Sequence, residues 1–474
     1  MNRLDKHSFA VFGKILTVCA AFLLISFSLY GADPAAPESA PVPDGFSQSG
    51  SDAINPEVSF ENFVTREEFE KETSALAWKK GDFSMTPYGF VWVNAAFNSG
   101  ACVSDAYCLY NFSAETNDSA SSAVDARTSR LGLKIDGPGI AGSCYKTRGV
   151  FEIDFQGAVN MTRNKGQVQF RKGYVELVNE ANETKFQFGQ DWDTISPLAP
   201  QMLNYLPAGF AGNIGYRRAQ MRFEKGRTWS SNLHTVTTIG IADPFPGDFF
   251  STSCVSANSG SWPIIEGRLG VSFGEQARCG LPITLGVSGH IGENTYIFSP
   301  VAGSLLPETQ TRETKYLKTW SFNVDADVPL NKRLRLQGEY FLGDNLSGFC
   351  GGVNQGIDLY TRSGVRAQGG WMSLHTQLTE KLTNNTGYAI DKPFEEDLIG
   401  NCVPTGGVTN ARTQNSVIFS NFLYQWSKAF MTGIEFGYWK TDYRKANVDG
   451  AEPVYSAMEP GKNFRVDFAA QYLF

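Results

Sequence analysis

The charged residues of this chain fall in a pattern suited to electrostatic work. Glu152 and Asp154 alternate with Phe151, Ile153 and Phe155; Glu266 and Arg268 alternate with Ile265 and Leu269; Arg335 and Glu339 fall between Leu334, Leu336 and Tyr340. Successive side chains of a strand point to opposite faces, so each segment has one apolar face and one charged face. A closed sheet with the charged faces inward would set arginines and carboxylates against each other across a narrow interior. That transverse field orients dipolar solutes and turns apolar ones away. The basic candidates for this lining are Arg130, Lys134, Arg218, Arg222, Arg268 and Arg335, set against Glu152, Asp154, Asp191, Glu266 and Glu339. Arg171 belongs with them by type, but Lys172 is its neighbour. Only one of an adjacent pair can face inward on a regular strand, and the sequence does not settle which.

Bond-making chemistry finds less support. His234 and His290 fall on inward positions of separate strands, with Ser288 near the second. No GxSxG elbow, phosphate loop or HExxH pattern accompanies them, so the histidines read as lining, and neither an enzyme nor a cofactor is expected. The chain has 8 cysteines but no CxxC or His companion, so no metal site is expected either. Cysteines suit an oxidising compartment. Cys102 and Cys108 share one long connection, and Cys350 and Cys402 lie in neighbouring long connections on one side; these are the candidate disulfides. Cys144 and Cys279 fall in short turns and Cys254 is left over.

Only strands can position these residues. From Met85 onward the sequence repeats strand, turn, strand and loop. Short connections near Gly137–Lys146, Asn179–Thr184, Gly226–Thr228, Gly274–Leu281, Val328–Lys332, Thr379–Lys381 and Trp426–Lys428 alternate with longer ones, apart from a short one at Met161–Gly166. Short turns at one end and long loops at the other are the build of a transmembrane β-barrel, and the connections separate about sixteen strands. The fold class expected is therefore all-β, an antiparallel barrel over 85–474. Sixteen strands leave an aqueous channel, whereas eight leave a filled interior. The connection after the fifth strand, from Trp192 to Ile214, carries three prolines around Met202-Leu203-Asn204-Tyr205-Leu206, which suits a loop folded against an inner wall as a constriction.

The last strand, FRVDFAAQYLF, is apolar at every second position and ends on Phe474. Phe468, Tyr472 and Phe474 form the terminal aromatic signal by which the barrel-assembly machinery would insert such a chain beside outer-membrane lipid. At the other end, Arg3, Lys6 and Lys14 precede an apolar stretch from Ile15 to Leu29 and the small pair Gly31-Ala32. That is the layout of a signal peptide over 1–32, implying export to the outer membrane of a diderm bacterium. Residues 33–64 form a Pro/Ala/Ser-rich periplasmic linker. Residues 65–81 read as a short helix, with Thr65 and Glu68 as a capping box, Lys79 and Lys80 in the last turn and Gly81 as the left-handed cap. Such a helix could dock on the barrel, plug its periplasmic mouth or pair with copies of itself in an oligomer. The net charge of −7 shows no basic surplus of the kind nucleic-acid binding requires. A mean hydropathy of −0.23 is expected of a barrel whose lipid-facing residues are diluted by alternate polar ones.

The segments DARTSRLGLK, FRKGYVEL, FGQDWD and YRRAQMRF, in that order and spacing, resemble the early strands of the DcaP-like outer-membrane porins. The resemblance continues more loosely through LGVSGHIGE, LQGEYFLGDN and GYAIDKP. It implies a homotrimeric sixteen-stranded channel with an N-terminal extension, passing small hydrophilic solutes with a preference for anionic organic ones. The family's basic lumen residues fall here on Arg130, Arg171, Arg218 and Arg222. The cysteines, and the acidic Glu152, Asp154 and Asp191 beside the arginines, depart from that pattern. A different class, an envelope-anchoring or adhesion barrel, would place the function in the loops or the N-terminal helix.

Overall fold

The computed structural model describes residues 77–157, 165–247, 255–274, 281–299, 311–400, 408–447 and 453–474. Alternating apolar and polar residues form long strands, and sixteen of them make up the wall. They are β1 Phe83–Asn98, β2 Arg130–Gly139, β3 Lys146–Asp154, β4 Gln169–Asn179, β5 Thr184–Trp192, β6 Arg217–Ser230, β7 Leu233–Ala242 and β8 Ile264–Phe273. The second half comprises β9 Ile283–Phe298, β10 Glu313–Asn331, β11 Leu334–Asp344, β12 Arg366–Gln377, β13 Leu382–Pro393, β14 Val408–Gln425, β15 Phe430–Asn447 and β16 Val454–Leu473. Two short segments continue the wall at the long-loop end. Ser121–Asp125 pairs with β1 above β2, and Val255–Ser259 pairs with β9 above β8.

Each strand pairs antiparallel with the next, and β1 pairs with β16 from Phe90↔Leu473 to Asn98↔Arg465. The sheet is thereby closed and its wall has no free edge, which is the arrangement that satisfies every ladder in a bilayer. Phe474 seals the seam, its backbone exchanging hydrogen bonds of 3.1 Å in both directions with Gly89.

The faces sort as the alternation requires. Val91, Met221, Ile239, Ile291, Phe322, Met372, Ile418 and Phe468 are exposed on the outside. Asn94, Glu152, Gln187, Glu266, Asn323, Asn421 and Asp467, on the opposite parity, are buried. An apolar surface that runs round the whole molecule has no place in water and is matched by lipid.

Two sequence expectations shift. Gly226–Thr228 is not a turn, since β6 runs on to Ser230 and pairs Thr228 with His234, leaving the reversal at residues 231–232. The extension is held by Arg227 stacked over Trp229 at 3.7 Å and by the Trp229 indole donating to Thr235 at 2.9 Å. Trp78–Lys80, expected at the end of a helix, instead form a strand pairing with Phe83–Met85. Gly81 at φ 59° supplies the left-handed residue of that reversal, in a strand turn in place of a helix cap. Residues 1–76, with the signal peptide, the linker and most of the helix, lie outside the described residues.

Candidate functional site

The connection from Asp193 to Tyr216, here called loop 3, folds into the barrel and runs once around its inner wall. The wall supplies an anchor at nearly every step. Glu266 on β8 accepts from the Thr194 backbone and hydroxyl, both at 2.7 Å. Ser288 on β9 donates to the Ile195 carbonyl at 2.7 Å. Glu339 on β11 accepts from the Ser196 hydroxyl at 2.6 Å, the Leu198 backbone at 2.7 Å and the Trp371 indole at 3.2 Å. Further round, Asn421 on β14 donates to the Gln201 carbonyl at 2.7 Å, and Glu435 on β15 accepts from the Leu203 backbone at 2.8 Å. Tyr205 then reaches β3, donating to Asp154 at 2.7 Å, and accepts from Arg171 on β4 at 3.0 Å. The return leg passes flat against β12 and β13 at Gly212 (φ 126°), where a Cβ would lie 2.3 Å from the Gly370 carbonyl oxygen. Only glycine fits there.

The loop is held by apolar contact as well. Leu198, Met202, Ala208 and Ala211 pack on Trp371, Ala389, Val417, Phe419 and Trp439, which project inward from β12 to β15. Leu203 packs on Trp92, Leu423, Met431 and Ala469. Burying each such leucine stabilises the arrangement by roughly 1.5–3 kcal/mol. The expectation of a lumen charged and wet all round is therefore corrected. The sector from β12 to β16 is covered by loops, because its inward positions carry Trp, Phe, Val and Ala among a few buried charges such as Glu435, Arg465 and Asp467.

Two other long loops fold in with loop 3. Residues 99–120, loop 1, contribute Cys102, Ala106, Tyr107, Cys108 and Leu109 to the interior clusters. Asn204 of loop 3 clasps loop 1, accepting from the Cys108 N–H at 3.0 Å and donating to the Cys108 carbonyl at 2.9 Å. Residues 345–365, loop 6, bring Phe349 between the Arg218 guanidinium at 4.0 Å and the His290 ring at 3.9 Å.

The expected charged residues form local pairs and are not opposed across the lumen. Arg171 binds Glu152 at 3.0 Å and also Asp154; Arg130 lies 3.5 Å from Glu152. Arg268 pairs with Asp325 at 2.6 Å and Arg335 with Asp327 at 2.6 Å, each across adjacent or nearby strands of one wall. Arg218 is held by Asp193 at 2.5 Å, and Arg222 lies 3.9 Å from Asp191. The Lys134 ammonium sits 5.3 Å from the Tyr88 ring centre. Contact pairing wins because Coulomb attraction at 3 Å far exceeds that across a water-filled pore. Glu266 and Glu339 were expected to line the lumen as charges; they lie behind loop 3 and hold it.

The adjacency of Arg171 and Lys172 is resolved by a bulge. The β3–β4 register slips by one residue between Glu152 and Ile153, and both basic side chains are buried.

Within the charged sector, several of the expected lining side chains keep contact with solvent. Among them are Arg130 (12% exposed), Asp191 (14%), Arg222 (13%) and Arg335 (34%). These four lie on β2, β5, β6 and β11, away from the loop-covered sector.

Of the remaining candidates, His290 is bound by Ser321 at 2.8 Å and Thr319 at 2.9 Å, while His234 is at the short-turn end, 2.7 Å from Glu183. The structure does not bring the two together. Cys102 and Cys108 are thiols in one buried cluster, Cys350 is buried against loop 1, and Cys402 lies outside the described residues. Asp193, Tyr205, Glu435 and the buried Arg465–Asp467 pair (2.6 Å) were missed. Inward parity on β15 and β16 carried the signal for Glu435, Arg465 and Asp467; nothing local marks Asp193 or Tyr205.

A closed sixteen-stranded barrel with an inward loop after the fifth strand is the porin architecture, and solved structures share it. The outer membrane channel DcaP of Acinetobacter baumannii is 17% identical over 84% of this chain and 99% of that one, with a TM-score of 0.59. An anion-selective porin from Comamonas acidovorans is 13% identical over 83% of this chain and 100% of that one, with a TM-score of 0.52. At these identities the likeness establishes the fold. No protein-family model and no curated protein matches the sequence.

Proposed function

We propose that this protein is an outer-membrane porin that passes small hydrophilic solutes by passive diffusion. The observation that carries this reading is the sorting of the barrel. Its outer surface is apolar, and its interior keeps an ionic sector, with Arg130, Asp191, Arg222 and Arg335 still touching solvent beside the girdle of loop 3. Solutes would pass along that sector, where paired charges favour dipolar molecules over apolar ones. Long loops would face outward from the cell and short turns the periplasm, with an exported chain placed by the barrel-assembly machinery and assembled as a homotrimer.

Anionic organic solutes are the class that the similar proteins make worth testing first. Against that, each solvent-touching arginine here has a carboxylate beside it, so any anion preference should be weak. Reversal potentials in a salt gradient, combined with swelling of protein-loaded liposomes in sugars, amino acids and dicarboxylates, test both points. Swelling in small polar solutes with a reversal potential near zero is expected. Liposomes that swell in none of them would overturn the reading. Conductance closing in three equal steps would support the trimer.

A further inference from the structure

Loop 1 carries a pair of cysteines that the transport path does not use. Its residues reverse as a small hairpin: Cys102 bridges to Asn111, the Val103 N–H donates to the Tyr110 carbonyl at 2.8 Å, and Leu109 donates to the Val103 carbonyl at 3.3 Å. This folding brings Cys102 and Cys108 into a single buried cluster, walled by Trp439, Phe419 and Val417. The neighbouring Cys108 thiol holds Cys102 below its ordinary range, while burial pushes Cys108 up. Other thiol contacts are long: Asn98 at 3.6 Å and the Ser104 carbonyl at 3.5 Å for Cys102, and Asn111 at 3.6 Å for Cys108.

We infer that Cys102 and Cys108 are joined as a disulfide in the exported protein, and that this bond fixes the peptide clasped by Asn204 of loop 3. The position of Cys108 makes the link specific. Its own N–H and carbonyl are the two groups that Asn204 holds. Bond formation is a thiol–disulfide exchange with an oxidising protein disulfide of the export compartment. One thiolate attacks that disulfide and expels one of its sulfurs as a thiolate. The second cysteine then attacks the protein-side sulfur of the mixed disulfide and expels the other, so two electrons and two protons pass to the oxidant, which leaves as a dithiol. The exchange takes place before the loop is buried. A closed loop restricts the unfolded chain, so reduction should loosen loop 1 first and loop 3 through it. The part of this inference that concerns the aperture rests on the channel reading; the bond itself does not.

Both cysteines fall in one tryptic peptide, residues 81–127, because no Lys or Arg intervenes. The test is alkylation of the denatured protein, purified from outer membranes, with and without prior reduction. The expected peptide is unalkylated without reductant, two hydrogens lighter than the dithiol, and doubly alkylated after reduction. Alkylation without reductant, or a bridge from either residue to Cys350, would overturn the disulfide. Single-channel recordings then compare the wild type with C102A/C108A, whose folding is checked by heat-modifiable migration on gels. More open-channel noise, by about threefold or more, is expected in the variant. Unchanged noise in a bridged, conducting wild type would overturn the coupling to loop 3 and leave the bond standing. A bridged wild type that carries no current would fail the channel reading alone.

Discussion

At the scale of single residues, similar side chains on one strand have different work. Arg218 and Arg222 both face inward on β6, yet Arg218 is fully buried against Asp193 and donates to the Gly348 carbonyl at 3.0 Å, whereas Arg222 keeps contact with solvent. Arg218→Ala would strand the Asp193 carboxylate and should cost about 3–5 kcal/mol, read as a lower temperature of conversion to the unfolded gel band. An unaltered temperature would show that the pair is not needed for folding. Arg222→Glu leaves that pair intact and should shift the reversal potential toward cation preference. If it does not, the solute path lies elsewhere. Sequence alone could not separate these two, because alternation gives both polar positions the same face and says nothing of what a distant loop will cover.

At the scale of elements, loop 3 is a girdle fastened by carboxylates. Glu339 alone receives three donors, from Ser196, Leu198 and Trp371. Glu339→Ala removes that anchor at about 1–3 kcal/mol for each donor left stranded. The variant should show larger and noisier conductance steps; steps of wild-type size would mean that loop 3 holds without it. The hold on loop 1 has a pH dependence. Glu115 of that loop accepts from Lys445 on β15 and from the Glu459 N–H at 2.9 Å, and the Lys445 contact first of all holds its carboxyl below the usual range. Its folded pKa is depressed, so the tether is intact above about pH 4, the ordinary carboxylate value, and is lost as the pH falls below that. Limited proteolysis between residues 113 and 120 should accelerate on acidification, and Glu115→Gln should be fast at every pH. Equal cleavage at pH 7 for both forms would dismiss the tether.

At the scale of the whole molecule, closure depends on the seam between β1 and β16. Phe474→Ser removes the aromatic end of that seam and should cut the amount of protein assembled in the outer membrane several-fold, measured by fractionation. Normal assembly would count against the terminal-strand argument. The wall itself was legible in the sequence. Period-two alternation in segments such as Phe151–Gln156, with connections alternating in length, was sufficient to expect sixteen strands. The interior was less legible. Trp371, Phe419 and Trp439 carry the same alternation as charged strands do, but they face inward under loops whose partners are hundreds of residues away. The wall carboxylates Glu266 and Glu339 looked like lining charges because their true partners, backbone N–H groups and hydroxyls of loop 3, carry no sequence signal.

Single-channel conductance of the purified wild type, set beside a variant with residues 198–212 replaced by a short Gly/Ser bridge, tests the channel and its girdle together. Small ohmic steps from the wild type and clearly larger ones from the variant are expected. Steps of equal size would contradict the role given to loop 3, and silence from both proteins in a well-inserted state would contradict the channel.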